Sequence, residues 1–77
     1  MDWIKVDLVK GIFPEKKKYS IVCYMDDGFG VQVDLGYLDF KKEHGGLYLV
    51  IDGKRKTWYK INRFIAWQEL PEPPEIE

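Results

Sequence analysis

Cys23 is the only cysteine and His44 the only histidine in a chain of 77 residues. A lone cysteine excludes an intramolecular disulfide, so the stapling that small secreted domains depend on is absent and a reducing, cytoplasmic setting is expected. One residue of each kind also excludes the usual Cys/His zinc spacings and leaves no constellation for nucleophilic catalysis. No catalytic residue, metal, cofactor or enzymatic activity is expected. Charge of one sign is lacking too. Twelve basic and 13 acidic side chains leave a formal charge of -1 and a pI of about 5.8, so no global field draws the chain to nucleic acid or to an anionic membrane. No uninterrupted apolar run approaches the roughly 20 residues of a membrane-spanning helix. The N-terminus has no basic region leading into an apolar stretch, and no repeat of solenoid or propeller period is visible.

Large apolar side chains, by contrast, are plentiful. Hydrophobic residues make up 45% of the chain and aromatic residues 16%, with three tryptophans, five tyrosines and four phenylalanines, which excludes a disordered polymer. A chain this short buries only roughly 60% of the surface its unfolded form exposes, so nearly every large apolar side chain is needed for the core. One domain over residues 1–70 is expected, followed by a Pro- and Glu-rich tail over 71–77 that the prolines hold extended.

The pattern along the chain is that of strands. Tyr19 to Met25 is an apolar run rich in β-branched and aromatic residues, and Asp26-Asp27-Gly28 after it supplies a tight hairpin turn with positive backbone angles at the glycine. Val31, Val33, Leu35 and Tyr37 alternate with Gln32, Asp34 and Gly36, which puts the apolar set on the core and the polar set in water. At Leu38 and Phe40 the apolar parity changes, and Gly36 beside the change predicts a bulge or strong bend. Residues 41–46 read as an exposed loop, and Leu47 to Ile51 as the most buried strand. Asp52-Gly53 marks a second turn before Thr57 to Ile61. The stretch from Ile61 to Trp67 reads as a last strand or as a helix capped by Asn62, with its β-branched and aromatic content favouring the strand. Trp3, Ile4 and Val6 are expected in the core. The fold class is mainly β: a small antiparallel meander of about four to five strands, strongly curved or forming an SH3-like partly open barrel.

Each candidate for chemistry has a plainer structural role. Cys23 lies between Val22 and Tyr24 and reads as a small buried hydrophobe. His44 reads as a solvated loop residue. The carboxylates Asp26, Asp27, Asp34 and Asp39 form a hydrolytic pair only if two of them share a pocket. Gly28-Phe29-Gly30 lacks the third glycine and following helix of a dinucleotide loop. Two basic clusters, Lys16, Lys17 and Lys18 before Tyr19, and Lys54, Arg55 and Lys56 before Trp58 and Tyr59, suit a charged groove with stacking platforms for single-stranded nucleic acid. Lysines beside strands also guard sheet edges, the preferred reading here. Exposed Tyr and Trp would suit a protein interface, and an open sheet edge would suit a homodimer.

Three pieces in order carry a family resemblance: Trp3-Ile4-Lys5-Val6 with Phe13-Pro14-Glu15, then Ile21-Val22-Cys23-Tyr24, then Ile65-Ala66-Trp67-Gln68-Glu69-Leu70-Pro71-Glu72-Pro73-Pro74. Together they resemble the small bacterial and phage family called domain of unknown function 551. Ala66 stands where that family usually has histidine, Gln68-Glu69 replaces Met-Pro, and Phe13 replaces leucine. The resemblance implies a compact β-rich protein, often phage- or prophage-encoded, and no catalytic residue. The expectation is a non-enzymatic protein-binding module that contacts a bacterial host or defence protein, with single-strand nucleic-acid binding as the alternative.

Overall fold

A computed structural model of the chain describes residues 2–71. The tail expected from residue 71 onward therefore lies, apart from Pro71, outside the described residues. Strands β1 (Ile4–Lys5), β2 (Ser20–Asp26), β3 (Gly30–Lys41), β4 (Gly46–Asp52), β5 (Lys56–Lys60) and β6 (Phe64–Glu69) are joined with two 3-10 turns, Lys42–His44 and Ile61–Arg63. All six strands belong to one sheet in the order β1-β6-β2-β3-β4-β5, and every pairing is antiparallel. Strands β2 to β5 form the expected meander, β6 returns beside β2, and the short β1 adds a sixth strand that the sequence reading does not resolve. The sheet ends at β1 and β5 and does not close into a barrel.

The long strand β3 organises the sheet. Its first half pairs with β2 from Gly30 to Gly36, and its second half with β4 from Gly36 to Lys41. Both registers run without a shift through Gly36, so of the bulge or strong bend expected there the bulge is absent. The parity change instead reflects an uninterrupted strand whose two halves carry apolar residues on opposite faces. Leu38 is fully buried, and a period of two then turns Gly36, Asp34 and Gln32 to that same inner face. Val31, Val33 and Leu35 must face outward, and they are 56%, 54% and 42% exposed. This reverses the assignment made from alternation for Val31, Val33 and Leu35, whereas Tyr37, the fourth member of that set, is buried as expected.

Curling of the sheet encloses a core of Val22, Tyr24, Leu38, Leu49, Ile51, Phe64 and Trp67, with Val6, Phe13, Leu47, Tyr59 and Ile61 packed around it. Phe64 and Trp67 are an odd number of residues apart, yet both reach inward. The pairing of β2 with β6 shifts register between Cys23 and Tyr24, and that irregularity lets them do so. The stretch left open between strand and helix is thus a 3-10 turn followed by a strand. Trp3 and Ile4, expected in the core, are 43% and 41% exposed, because β1 is a two-residue edge strand with a neighbour on one side only. Val6 does pack on the core, and its N–H bonds the Ile65 carbonyl at 3.0 Å.

The β2–β3 turn differs in detail from the expected one. Asp26 Oδ1 accepts from the N–H groups of Gly28 (2.8 Å) and Phe29 (3.2 Å), a side-chain mimic of a backbone turn. The left-handed residue is Gly30, with φ 78°, and not Gly28. Three residues lie between the Asp26↔Gly30 pair, and a loop of that length needs its left-handed residue at the end.

Candidate functional site

The outer face of the β2–β3 hairpin is the most unusual surface of the molecule. In register across the two strands stand Ile21 and Leu35, Cys23 and Val33, and Met25 and Val31. None of these side chains is charged. Ile21 and Cys23 are half-buried and Met25 is exposed, while Ala66 on β6, in register beside Cys23, is buried. At the tip of the same hairpin Phe29 is 83% exposed. Scattered exposed apolar residues are ordinary, but a contiguous block on paired strands marks a contact surface. Sequence reasoning missed it because an alternating strand has the same pattern whether its apolar side faces core or solvent. Cys23, read as buried, is part of this half-exposed face.

The residues expected to bind are divided by the fold. Tyr19, Lys56 and Trp58 share the outer face, further along the sheet, whereas Tyr59 turns inward against the core. Tyr19 brings the two basic clusters near one another: it follows Lys18, stands edge-on to Tyr37 at 4.9 Å between ring centroids, and donates a 2.6 Å hydrogen bond to Asp52 Oδ2. The Lys56 ammonium lies 5.8 Å from the centre of the Tyr37 ring. Lys41 covers Trp58 in the same way, at 5.1 Å. These rings are therefore already occupied by the protein's own cations. Lys18 turns elsewhere, to within 3.9 Å of Glu69. Lys16 bridges to Leu38 beside β3, and the Lys17 N–H bonds the Leu38 carbonyl at 2.6 Å from a left-handed backbone, φ 66°. Lys54 and Arg55 sit exposed in the β4–β5 turn. Lys56 and Lys60 bracket edge strand β5, the usual device against edge pairing.

Two of the carboxylates singled out in the sequence meet phenols at one end of the inner face. Tyr24 donates to Asp34 Oδ2 at 2.7 Å and Tyr59 to Asp26 Oδ2 at 2.7 Å, with the two rings 4.9 Å apart. Asp27 pairs with Arg63, and Asp39 Oδ1 accepts from the Phe40 N–H at 2.8 Å. The Tyr59 hydroxyl, helped by the Gly28 N–H, holds the Asp26 carboxyl below its ordinary value. Burial, then the bond to Asp34, pushes the Tyr24 hydroxyl well above its ordinary value. A carboxyl working as an acid near neutrality needs the opposite shift. Among the described residues no three His, Cys, Asp or Glu side chains gather as a metal site requires.

This arrangement sets an acid dependence. A lowered carboxyl contributes stability that is fully present above its ordinary pKa of 3.8 and is lost as pH falls through the lowered one. Tyr59→Phe removes the principal cause, so the mutant should be less stable than wild type at neutral pH, by a margin that narrows in acid. Urea midpoints for both proteins between about pH 2 and 6 measure this. A gap that stays constant over that range would assign the loss to packing alone.

Two surface cavities flank the sheet. One, of about 140 Å³, is lined by Phe13, Pro14, Glu15, Lys18, Ser20, Trp67 and Glu69. The other, of about 290 Å³, opens where β4 outruns β5. No helix among the described residues is long and apolar enough to cross a membrane. No protein-family model, curated protein or solved structure gives a significant match to the chain.

Proposed function

We propose that the chain is a non-enzymatic protein-binding module whose docking surface is the outer face of the β2–β3 hairpin. One observation carries the reading: Val31, Val33 and Leu35 lie more than two-fifths exposed, opposite Met25, Cys23 and Ile21, with no charge among them. Water against such a face is unfavourable by roughly 25 cal/mol per Å². The fitting occupant is a partner protein with its own flat, uncharged surface, packed about 10 Å away as sheets pack on sheets. Phe29 at the hairpin tip is shaped to seat in a pocket of that partner. The lowered Asp26 carboxyl, unsuited to donating a proton near neutrality, supports the non-enzymatic half of the proposal. From the family resemblance we add that the partner is a bacterial host or defence protein met in the bacterial cytoplasm, and that the chain is of phage or prophage origin.

The alternative, single-stranded nucleic acid, is favoured by one feature, the approach of Lys56 to Tyr19 and Tyr37. Against it stand Asp52 at the centre of that group and the ring faces already covered by Lys41 and Lys56.

The test is a pull-down from bacterial lysate with three baits: wild type, Val33→Asp, and Lys54→Ala/Arg55→Ala/Lys56→Ala. A charge placed in an apolar interface weakens binding by about 30-fold or more. A stoichiometric protein should therefore be retained by wild type and by the triple variant and lost with Val33→Asp. Circular dichroism must show Val33→Asp folded, which is expected for a side chain already in water. Retention by Val33→Asp overturns the surface assignment. Material released by nuclease, and lost with the triple variant, transfers the function to the basic cluster.

A further inference from the structure

The larger cavity opens for a reason visible in the register. The last β4–β5 pair is Tyr48↔Lys60, so Gly46 and Leu47 continue past the end of β5 while the chain turns away through Ile61–Arg63. The gap measures about 290 Å³ and is lined by His44, Gly46, Leu47, Tyr48, Lys60, Ile61 and Asn62. Leu47 and Ile61 belong to the shell packed on the core and make an apolar floor. Tyr48, whose ring lies 5.8 Å from the His44 ring, lines the gap from the opposite side of β4 to Leu47. The polar side chains among the lining residues are those of Lys60, His44 and Asn62, and no carboxylate lines the gap among the described residues. A second cation, Lys41, stands 5.9 Å from the centre of the Tyr48 ring. Asp39, across from Tyr48 on β3, has a carboxylate oxygen engaged by the Phe40 N–H.

Apolar and aromatic side chains together with donor groups, and no acid among the described residues, make the composition of a small-ligand site. We infer that this cavity binds a small carboxylate with a flat apolar body, its ring held between Leu47 and Ile61 on one side and Tyr48 on the other, and its anion toward Lys60 and Asn62. The volume suits a ligand of about ten non-hydrogen atoms, at the small end of such sites. The inference is independent of the hairpin surface, which lies on other strands.

Sodium phenylacetate is the probe, titrated into the full ¹⁵N-labelled chain and followed by amide shifts. Neutral phenylacetamide and the Lys60→Met variant serve as comparators. Saturable shifts are expected at Gly46, Leu47, Tyr48, Ile61 and Asn62 below about 10 mM probe, a range reasonable for so few atoms. Phenylacetamide should bind at least about fivefold more weakly, as should phenylacetate to Lys60→Met, since each lacks one half of a charge-assisted contact. Lys60 is exposed, so its replacement leaves the fold in place, as an unchanged remainder of the spectrum will confirm. Absence of saturation, equal binding of the amide and the acid, or shifts spread over lysines elsewhere would each overturn the assignment.

Discussion

Gly36→Ala should leave the protein largely unfolded at room temperature. A methyl carbon at this position would lie 2.6 Å from the Val50 carbonyl oxygen and 3.1 Å from both Ile51 Cδ1 and Val22 Cγ2. The first of these is main chain within a paired strand, so relief requires β3 and β4 to separate where the sheet turns. Overpacking a well-filled site costs about 1–3 kcal/mol when side chains can adjust, and more when only backbone can. A core this small supplies about 3–5 kcal/mol in all, so the substitution removes most of it. Gly53→Ala is the control, because nothing lies within 4 Å of the added carbon and the residue is not left-handed. That variant should match wild type or exceed it by about 0.5 kcal/mol, through the unfolded chain. Circular dichroism with urea titration separates the two; a cooperative, wild-type-like transition for Gly36→Ala would mean the strands do not approach so closely.

A second large effect is expected from Leu38→Ala, and its contrast with Leu35→Ala tests the orientation of β3. Leu38 is fully buried between Val22 and Leu49 in the core, whereas Leu35, three residues earlier on the same strand, is 42% exposed on the other face. Emptying a buried leucine site costs about 2–5 kcal/mol, the transfer term plus the cavity left behind. Leu35→Ala should cost less than about 1 kcal/mol, in line with its partial burial. Leu38→Ala should thus lose most of the folded population while Leu35→Ala keeps it. The reverse ranking would restore the reading in which Val31, Val33 and Leu35 line the core.

Much of the strand plan is legible along the chain. The Tyr19 to Met25 and Leu47 to Ile51 runs lie in β2 and β4, because β-branched and aromatic side chains suit a pleated surface and little else at that length. Turns fall where Asp26, Gly28 and Gly53 place them, since a carboxylate beside a glycine stabilises a reversal of the chain locally. Orientation is less legible. Gln32 and Asp34 face inward because Leu38 fixes the parity of a continuous strand, and the hydroxyl of Tyr24, supplied by β2, satisfies Asp34 there. Neither constraint is local to residues 31–37. The surface read from aromatics next to lysines is likewise divided, because Tyr59 and Trp58 are adjacent in a strand and so must point to opposite faces. The hairpin surface carries no motif at all, and the only signal for it lies in the conflict of parity between Leu35 and Leu38, which admits a bulge as readily as a reversed face.

Composition and local pattern by themselves determine a small β-rich chain that can close no disulfide within itself and has no apolar run long enough for a membrane-spanning helix, because those properties depend on residue counts and on interactions between near neighbours in the chain. Tertiary structure alone decides which side of β3 meets water, how Gly36 lets strands from both sides of it meet in one curved sheet, and where β5 stops short of β4. Each of those depends on the register between segments far apart in sequence, and a register is set by contacts that do not exist until the sheet has formed.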